Sequence, residues 1–273
     1  MDASQPLHKA LIHIVGERSR VVTRHFTYRT RSGIAKGLKR QGGFGFLPRQ
    51  ITQEETFYLS LKLNGKVVYD VGSNEGIFSL FSAREIGNTG VLVAFEPNRT
   101  SFARTVRNLQ INKFKCEIHT LNLALGKERR TATMWCPSGE TARSTLSQPL
   151  AKQYQQAHEE CLAFEVQVER LDDLVASGLP APDFVKIDTE GHEAEVLLGA
   201  EETLRKVQPE IFLELHGTTL QSWLDNRSAV QGFLEGCGYK IFDMNRKELS
   251  VTDTASHLYC QPRIQKSGRP TIS

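Results

Sequence analysis

The stretch from Gly65 to Gly76, reading GKVVYDVGSNEG, constrains this chain more than any other. Val67, Val68 and Tyr69 form a short β-branched and aromatic run that favours a buried strand. Asp70 ends the run, and Gly72 and Gly76 bracket a tight loop. Ile77, Phe78, Leu80, Phe81 and Ile86 then recur at helical spacing, so a helix starts where the loop stops. Strand, glycine loop and helix in that order let a ligand approach the backbone and meet unpaired N–H groups. Because Asn74 interrupts it, the loop is not the dinucleotide pattern G-x-G-x-x-G, and it lacks the phosphate-loop lysine.

The same order repeats along the chain. VLVAFEP (Val91 to Pro97) reads as a second buried strand ending in Glu96, and Asn98 or Thr100 can cap the helix after it. CEIHTLNLALG reads as a third strand, PDFVKIDTEG as another ending at Asp188, and IFLELHG as a fifth ending in Glu214 and His216. Alternating strands and helices predict an α/β fold of the Rossmann-like kind, a doubly wound and mostly parallel sheet. YKIFDM and HLYCQ read as a final strand pair.

Two regions depart from this rhythm. RRTATMWCP and FEVQVERL predict antiparallel strands joined by a polar segment carrying Ser144 and Thr145, a small β insertion at about 127–170. Residues 1–52 predict an accessory or lid segment ahead of a catalytic domain over 53–273. In that segment Leu7, Leu11, Ile14 and Val15 have helical spacing, and Val21 to Thr30 alternates like a strand. The run GLKRQGGFGFLPRQ reads as a loop, a flexible cover with glycines around Phe44 and Phe46. Thr52 and Glu55 form a capping-box pair, predicting a helix from Gln53 to Leu63.

Composition excludes several classes. No apolar run approaches the roughly 20 residues of a membrane span, and the N-terminus lacks a secretory pattern. Cys116, Cys136, Cys161, Cys237 and Cys260 form no C-x-x-C pair, which argues against a disulfide or zinc framework and for a reducing cytoplasm. The net charge of +3 is too small to announce nucleic acid, although Arg18, Arg20, Arg24, Arg29, Arg31, Lys36, Lys39, Arg40 and Arg49 crowd the N-terminal segment.

Polar residues gather at the predicted C-terminal strand ends: Asp70, Glu96, Asn122, Asp188, Glu214 and His216. Ligands of open α/β sheets bind at that edge. Glu96 follows the glycine loop by about 20 residues, the spacing at which an acid receives ribose hydroxyls and repels a 2′-phosphate. Asp70 before the first glycine suits a sulfonium or ammonium better than a pyrophosphate, so S-adenosylmethionine is preferred to NAD. No metal-ligand set is assigned, although Asp188, Glu214 and His216 could form an oxygen-rich one.

VVYDVGSNEGIFSL, AFEPN, NLALG, FVKIDTEGHEAEVLLGA and IFLELHG together resemble the FkbM-type methyltransferases, a class I S-adenosylmethionine-dependent family. Ser73 stands where that family usually has Ala. The resemblance implies O-methylation of a hydroxyl on a sugar, small molecule or secondary metabolite. It implies that Asp70, Gly72, Ser73, Asn74 and Gly76 line the methionine and ribose part of the cofactor. Glu96 and Pro97 would then take the ribose, and Asn122 and Ala124 would lie toward the adenine. Asp188 falls where the acceptor is positioned. His216, with a reference pKa near 6.5, is the preferred base. His192 is expected at the surface or behind the site. The rivals are an RNA methyltransferase using the basic arm and an inactive cofactor-binding scaffold; nucleic acid is not the expected partner, and a homo-oligomer stays open.

Overall fold

The computed structural model describes residues 26–43, 45–138, 143–157, 160–250 and 253–263. The helical reading of Leu7 to Val15, the start of the predicted first strand, and Phe44 lie outside them. In chain order, β1 (Thr27–Arg29) pairs antiparallel with β2 (Lys39–Gln41), and α1 (Gln53–Leu59) follows. Next come β3 (Val67–Val71), α2 (Ile77–Glu85), β4 (Val91–Phe95), α3 (Arg99–Gln110), β5 (Glu117–Leu121) and β6 (Ala124–Leu125). The insertion holds β7 (Arg130–Pro137), α4 (Gln148–Ala157) and β8 (Cys161–Glu169). Then come α5 (Leu171–Ala176), β9 (Phe184–Ile187), α6 (Glu193–Leu198), α7 (Glu201–Lys206), β10 (Glu210–Glu214), α8 (Leu220–Gly236), β11 (Tyr239–Phe242) and β12 (His257–Pro262).

Seven strands make the central sheet in the order β11-β12-β10-β9-β3-β4-β5. β5, β4, β3, β9 and β10 are parallel, while β12 runs against both β10 and β11. The strand order reverses between β3 and β9, so the ligand crevice opens beside their C-terminal ends. Alternation along β3 explains the two cores. Val67, Tyr69 and Val71 face one cluster with Val93, Phe95, Val185 and Ile187, whereas Val68 faces another with Tyr58, Phe78, Phe81 and Phe212. Asp70 shares the face of Val68, and this places a carboxylate among aromatic rings beneath α2.

Several boundaries differ from the sequence reading for physical reasons. The Thr52–Glu55 capping box forms, but α1 stops at Leu59 with Ser60 as its C-cap rather than reaching Leu63. CEIHTLNLALG is split, because β6 leaves the central sheet and pairs with β8. The antiparallel β7–β8 pair forms over the expected residues, yet its polar connection contains α4, whose Leu150, Ala151 and Tyr154 are buried. LDDL forms the short helix α5 before the chain returns to the sheet. Ala194, Leu197, Ala200, Leu204 and Val207 have the spacing of one continuous helix, yet the segment breaks into α6 and α7 at Gly199, where a Cβ would collide with the Gly126 carbonyl oxygen. Close packing of two backbones there overrides the helical pattern.

The segment before α1 is pinned to the body. Part of GLKRQGGFGFLPRQ is strand β2. Ile34 is buried, its N–H donates to Glu55 Oε1 at 3.3 Å, and Arg49 bonds both Glu55 oxygens at 2.7 Å. Backbone N–H groups of Lys39 and Gln41 donate to Asn112 and Asn108 of the α3 region at 2.8 Å each. Arg40 and Arg104 share the carboxylate of Glu75 in the glycine loop.

Candidate active site

The loop after β3 is shaped by contact with the end of β9. Gly72 has φ +79°, in the left-handed region, and a Cβ there would drive into the Asp188 carbonyl oxygen. Only glycine satisfies both conditions. The Gly72 and Ser73 N–H groups donate to the Phe95 carbonyl at 3.0 Å, which ties the loop to β4. Asn74 is also left-handed at φ 48°, and Asn tolerates this better than most residues. Gly76 caps α2 against Thr105.

Glu96 is folded back onto that loop. One carboxylate oxygen accepts from the Asn74 N–H at 2.7 Å and the other from the Asn98 N–H at 2.8 Å. A carboxylate offers about four lone-pair sites, so each oxygen retains capacity toward the adjoining cavity. Burial pushes its carboxyl up to about 7, against the pull of the two N–H donors.

That cavity is lined by Gly72, Asn74, Glu96, Pro97, Leu123, Ala124, Met134, Ser144, Asp188 and His192, among others. Apolar Leu123, Ala124 and Met134 line it together with the acid Glu96. The insertion closes it: Asn98 Nδ2 donates to Ser144 Oγ at 2.9 Å, while Thr145 Oγ1 donates to the Glu190 carbonyl at 2.6 Å. An acid with lone pairs to spare, apolar lining residues and a cradle that a Cβ would fill suit S-adenosylmethionine.

Asp188 borders this cavity and also a second one lined by Arg40, Arg49, Glu54, Tyr58, Phe78 and Lys186. Gly72 and Asn74 border both as well, whereas Ser73 borders only the second. Lys186 Nζ sits 3.0 Å from Asp188 Oδ2 and 3.9 Å from Asp70 Oδ1. Burial works to raise the Asp188 carboxyl, but Lys186, His216 and His257 outweigh it and hold it below the usual carboxylate range. Burial likewise disfavours charge on Lys186, and the two aspartates more than restore it.

His216 stands on the far side of Asp188. Its Nδ1 lies 3.0 Å from Oε1 of the fully buried Glu193, and its Nε2 lies 3.9 Å from both Glu190 and Glu214. Burial alone would lower its pKa; Glu193, Glu190 and Asp188 together raise it to about 9. At neutral pH the imidazole therefore carries a proton, and the argument for a base from the reference pKa does not hold here.

Other sequence-assigned residues sit differently from expectation. Asp70 is fully buried and borders neither cavity; it accepts from Ser79 Oγ at 2.5 Å and acts on the site through Lys186. Asn122 gives its amide to the Glu96 and Pro97 carbonyls at 2.8 and 3.1 Å, shaping the turn rather than lining the cavity. His192 is buried and lines the cavity itself, rather than lying at the surface or behind the site, and burial lowers its pKa. Lys186, Glu193 and His257 escaped the sequence reading. Lys186 hides inside a strand, although a lysine within FVKI is a signal that it has buried partners.

Sheet order and crevice define a class I methyltransferase fold. The chain belongs to the FkbM methyltransferase family, whose domain model matches residues 70–241. It is 23% identical over 220 residues to a methyltransferase of Sordaria araneosa, covering 72% of this chain and 82% of that one. It is 29% identical over 153 residues to the hexuronic acid methyltransferase AglP of Haloferax volcanii, covering 55% of this chain and 56% of the relative. Among solved structures, the FkbM methyltransferase of Methylobacillus flagellatus aligns at TM-score 0.48 and 16% identity, over 74% of this chain and 45% of that one.

Proposed function

We propose that the protein transfers the methyl group of S-adenosylmethionine to a hydroxyl oxygen on a sugar or other small-molecule acceptor. The position of Asp188 carries this reading, because the residue borders both the cavity proposed for the cofactor and the neighbouring cavity. Glu96 would receive the ribose hydroxyls, Leu123, Ala124 and Met134 the adenine, and the Gly72–Gly76 loop the methionine end. The cofactor supplies an electrophilic methyl group whose positive charge vanishes on transfer. The protein therefore has little new charge to stabilise, and orienting the acceptor oxygen supplies most of the rate, up to ~7–11 kcal/mol for well-oriented reactions. Asp188, held ionised beside Lys186, accepts the hydrogen bond of the acceptor hydroxyl, fixes its lone pair toward the cofactor cavity and receives the hydroxyl proton as the new C–O bond forms and the S–C bond breaks. The hexuronic acid acceptor in the name of the Haloferax volcanii relative favours a sugar.

The segment before α1 would cover the acceptor, since Arg40 and Arg49 border the second cavity. Deleting residues 1–50 would uncover buried Glu55, so Arg49→Gln is the gentler probe. It should weaken acceptor use and spare cofactor affinity.

Incubating the protein with isotopically labelled S-adenosylmethionine and an untargeted extract tests the activity by mass spectrometry. The reading expects labelled methyl ethers on hydroxylated small molecules or glycans. Label on RNA would move the acceptor to nucleic acid, and binding without transfer would make the protein a cofactor-binding scaffold.

A further inference from the structure

Carboxylates and imidazoles converge where three neighbouring strands end. Asp188 follows β9, Glu214 closes β10 with His216 two residues on, and His257 opens β12 directly opposite Glu214. One donor atom each from Asp188, Glu214 and His216 lies within 4.8 Å of the other two. Glu214 and His257 form a second such group with Glu54 of α1.

We propose that Asp188, Glu214 and His216 bind a divalent cation of the Mn²⁺ and Mg²⁺ class beside the transfer site. This rests on the reading of Asp188 as the wall between cofactor and acceptor.

Three observations support it. His216 Nε2 is 3.9 Å from Glu214 Oε1. That separation is too long for a hydrogen bond. It does match two ligands of one ion, which at metal–oxygen distances of about 2.1 Å lie about 3–4 Å apart. The imidazole is also pre-set as a ligand. Its Nδ1 faces Glu193, which is fully buried and is itself held by the Gly191 N–H at 2.9 Å. A buried carboxylate on the far nitrogen is how proteins orient a ligating histidine. The third observation is unbalanced charge. The second oxygen of Glu193, Oε2, is buried without a hydrogen-bond partner, and so is Asp70 Oδ1. Around them stand Glu54, Asp188, Glu190 and Glu214, against Lys186 and the two histidines. One imidazole beside several carboxylates favours Mn²⁺ over Ca²⁺.

Protonated histidines could instead balance the acids with no metal, and metal binding itself separates the two cases. The full chain is freed of metal with a chelator, dialysed, and titrated with Mn²⁺ at about pH 8, following the electron paramagnetic resonance signal of free ion. The expected result is one saturable ion per chain with micromolar affinity. Glu214→Gln and His216→Ala should each weaken it about tenfold or more. Mn²⁺ should also raise the melting midpoint of the wild type and leave that of Glu214→Gln in place, provided both apo proteins melt cooperatively. Absence of saturable binding up to about 1 mM, or equal binding by wild type and both variants, overturns the site. Calorimetry with S-adenosylmethionine on the same samples keeps the failures apart. Intact cofactor binding without metal binding sinks this inference alone, whereas the reverse sinks the proposed methyl donor.

Discussion

Gly72 and Asp188 are in backbone contact: the α-carbon of Gly72 packs against the carbonyl of Asp188, leaving no room for a methyl group. This contact ties the glycine loop after β3 to the end of β9. Gly72→Ala would place alanine at φ +79° and force the two elements apart. We expect a loss of stability of about 1–3 kcal/mol or more and a larger loss of cofactor affinity. Denaturant unfolding and calorimetry on the same variant measure the two effects.

Glu96 gives a pH signature. Its carboxyl is raised to about 7 by burial in the free protein. Hydroxyl donors and a cationic ligand favour the ionised form, so binding should release a proton near neutral pH and tighten as pH rises through 7. Titrations in buffers of different ionisation enthalpy should report that proton. Glu96→Gln should abolish the release and weaken binding.

Lys186 and Asp70 face each other in register across β9 and β3, on the same buried sheet face. Lys186→Met removes the counter-charge of Asp70 and of Asp188, and removing one member of a buried pair costs about 3–5 kcal/mol. Asp70→Asn added to Lys186→Met should recover part of that loss. A double variant no more stable than Lys186→Met alone would show that the pair is not coupled. Urea denaturation of the four proteins decides it.

Much of this architecture is local and was readable. Val67 to Gly76, the Asn98 cap and the Thr52–Glu55 box each depend on residues within a turn or two. What escaped depends on distant backbone. The helix break at Gly199 is dictated by Gly126, and the withdrawal of Asn122 from the cavity by carbonyls at Glu96 and Pro97. α4 was hidden because its polar sequence buries only Leu150, Ala151 and Tyr154. At the site, strand-end acids were legible one at a time. Their convergence with Glu54 and His257, brought in from distant parts of the chain, follows from the sheet order and the packing of α1 on it. The raised pKa of His216 has the same origin, because Glu193, Glu190 and Asp188 come to it through a different strand.

His216 predicts a second pH dependence. Its folded pKa of about 9 exceeds the ordinary value of 6.5, so its contribution to stability is complete below 6.5 and disappears as pH rises through 9. With no divalent ion present, the stability gap between wild type and His216→Gln should be largest near pH 6. It should shrink by up to about 3 kcal/mol by pH 10. A gap that is constant over this range would place the imidazole outside the influence of the carboxylates.

The central claim is that the cavity between Glu96 and Asp188 holds S-adenosylmethionine. Isothermal titration of the purified chain with S-adenosylmethionine and, separately, with NAD tests it most directly. The account predicts micromolar binding of S-adenosylmethionine, roughly −8 kcal/mol, weakened in Glu96→Ala with the fold intact. Tight NAD binding with no heat from S-adenosylmethionine would contradict it.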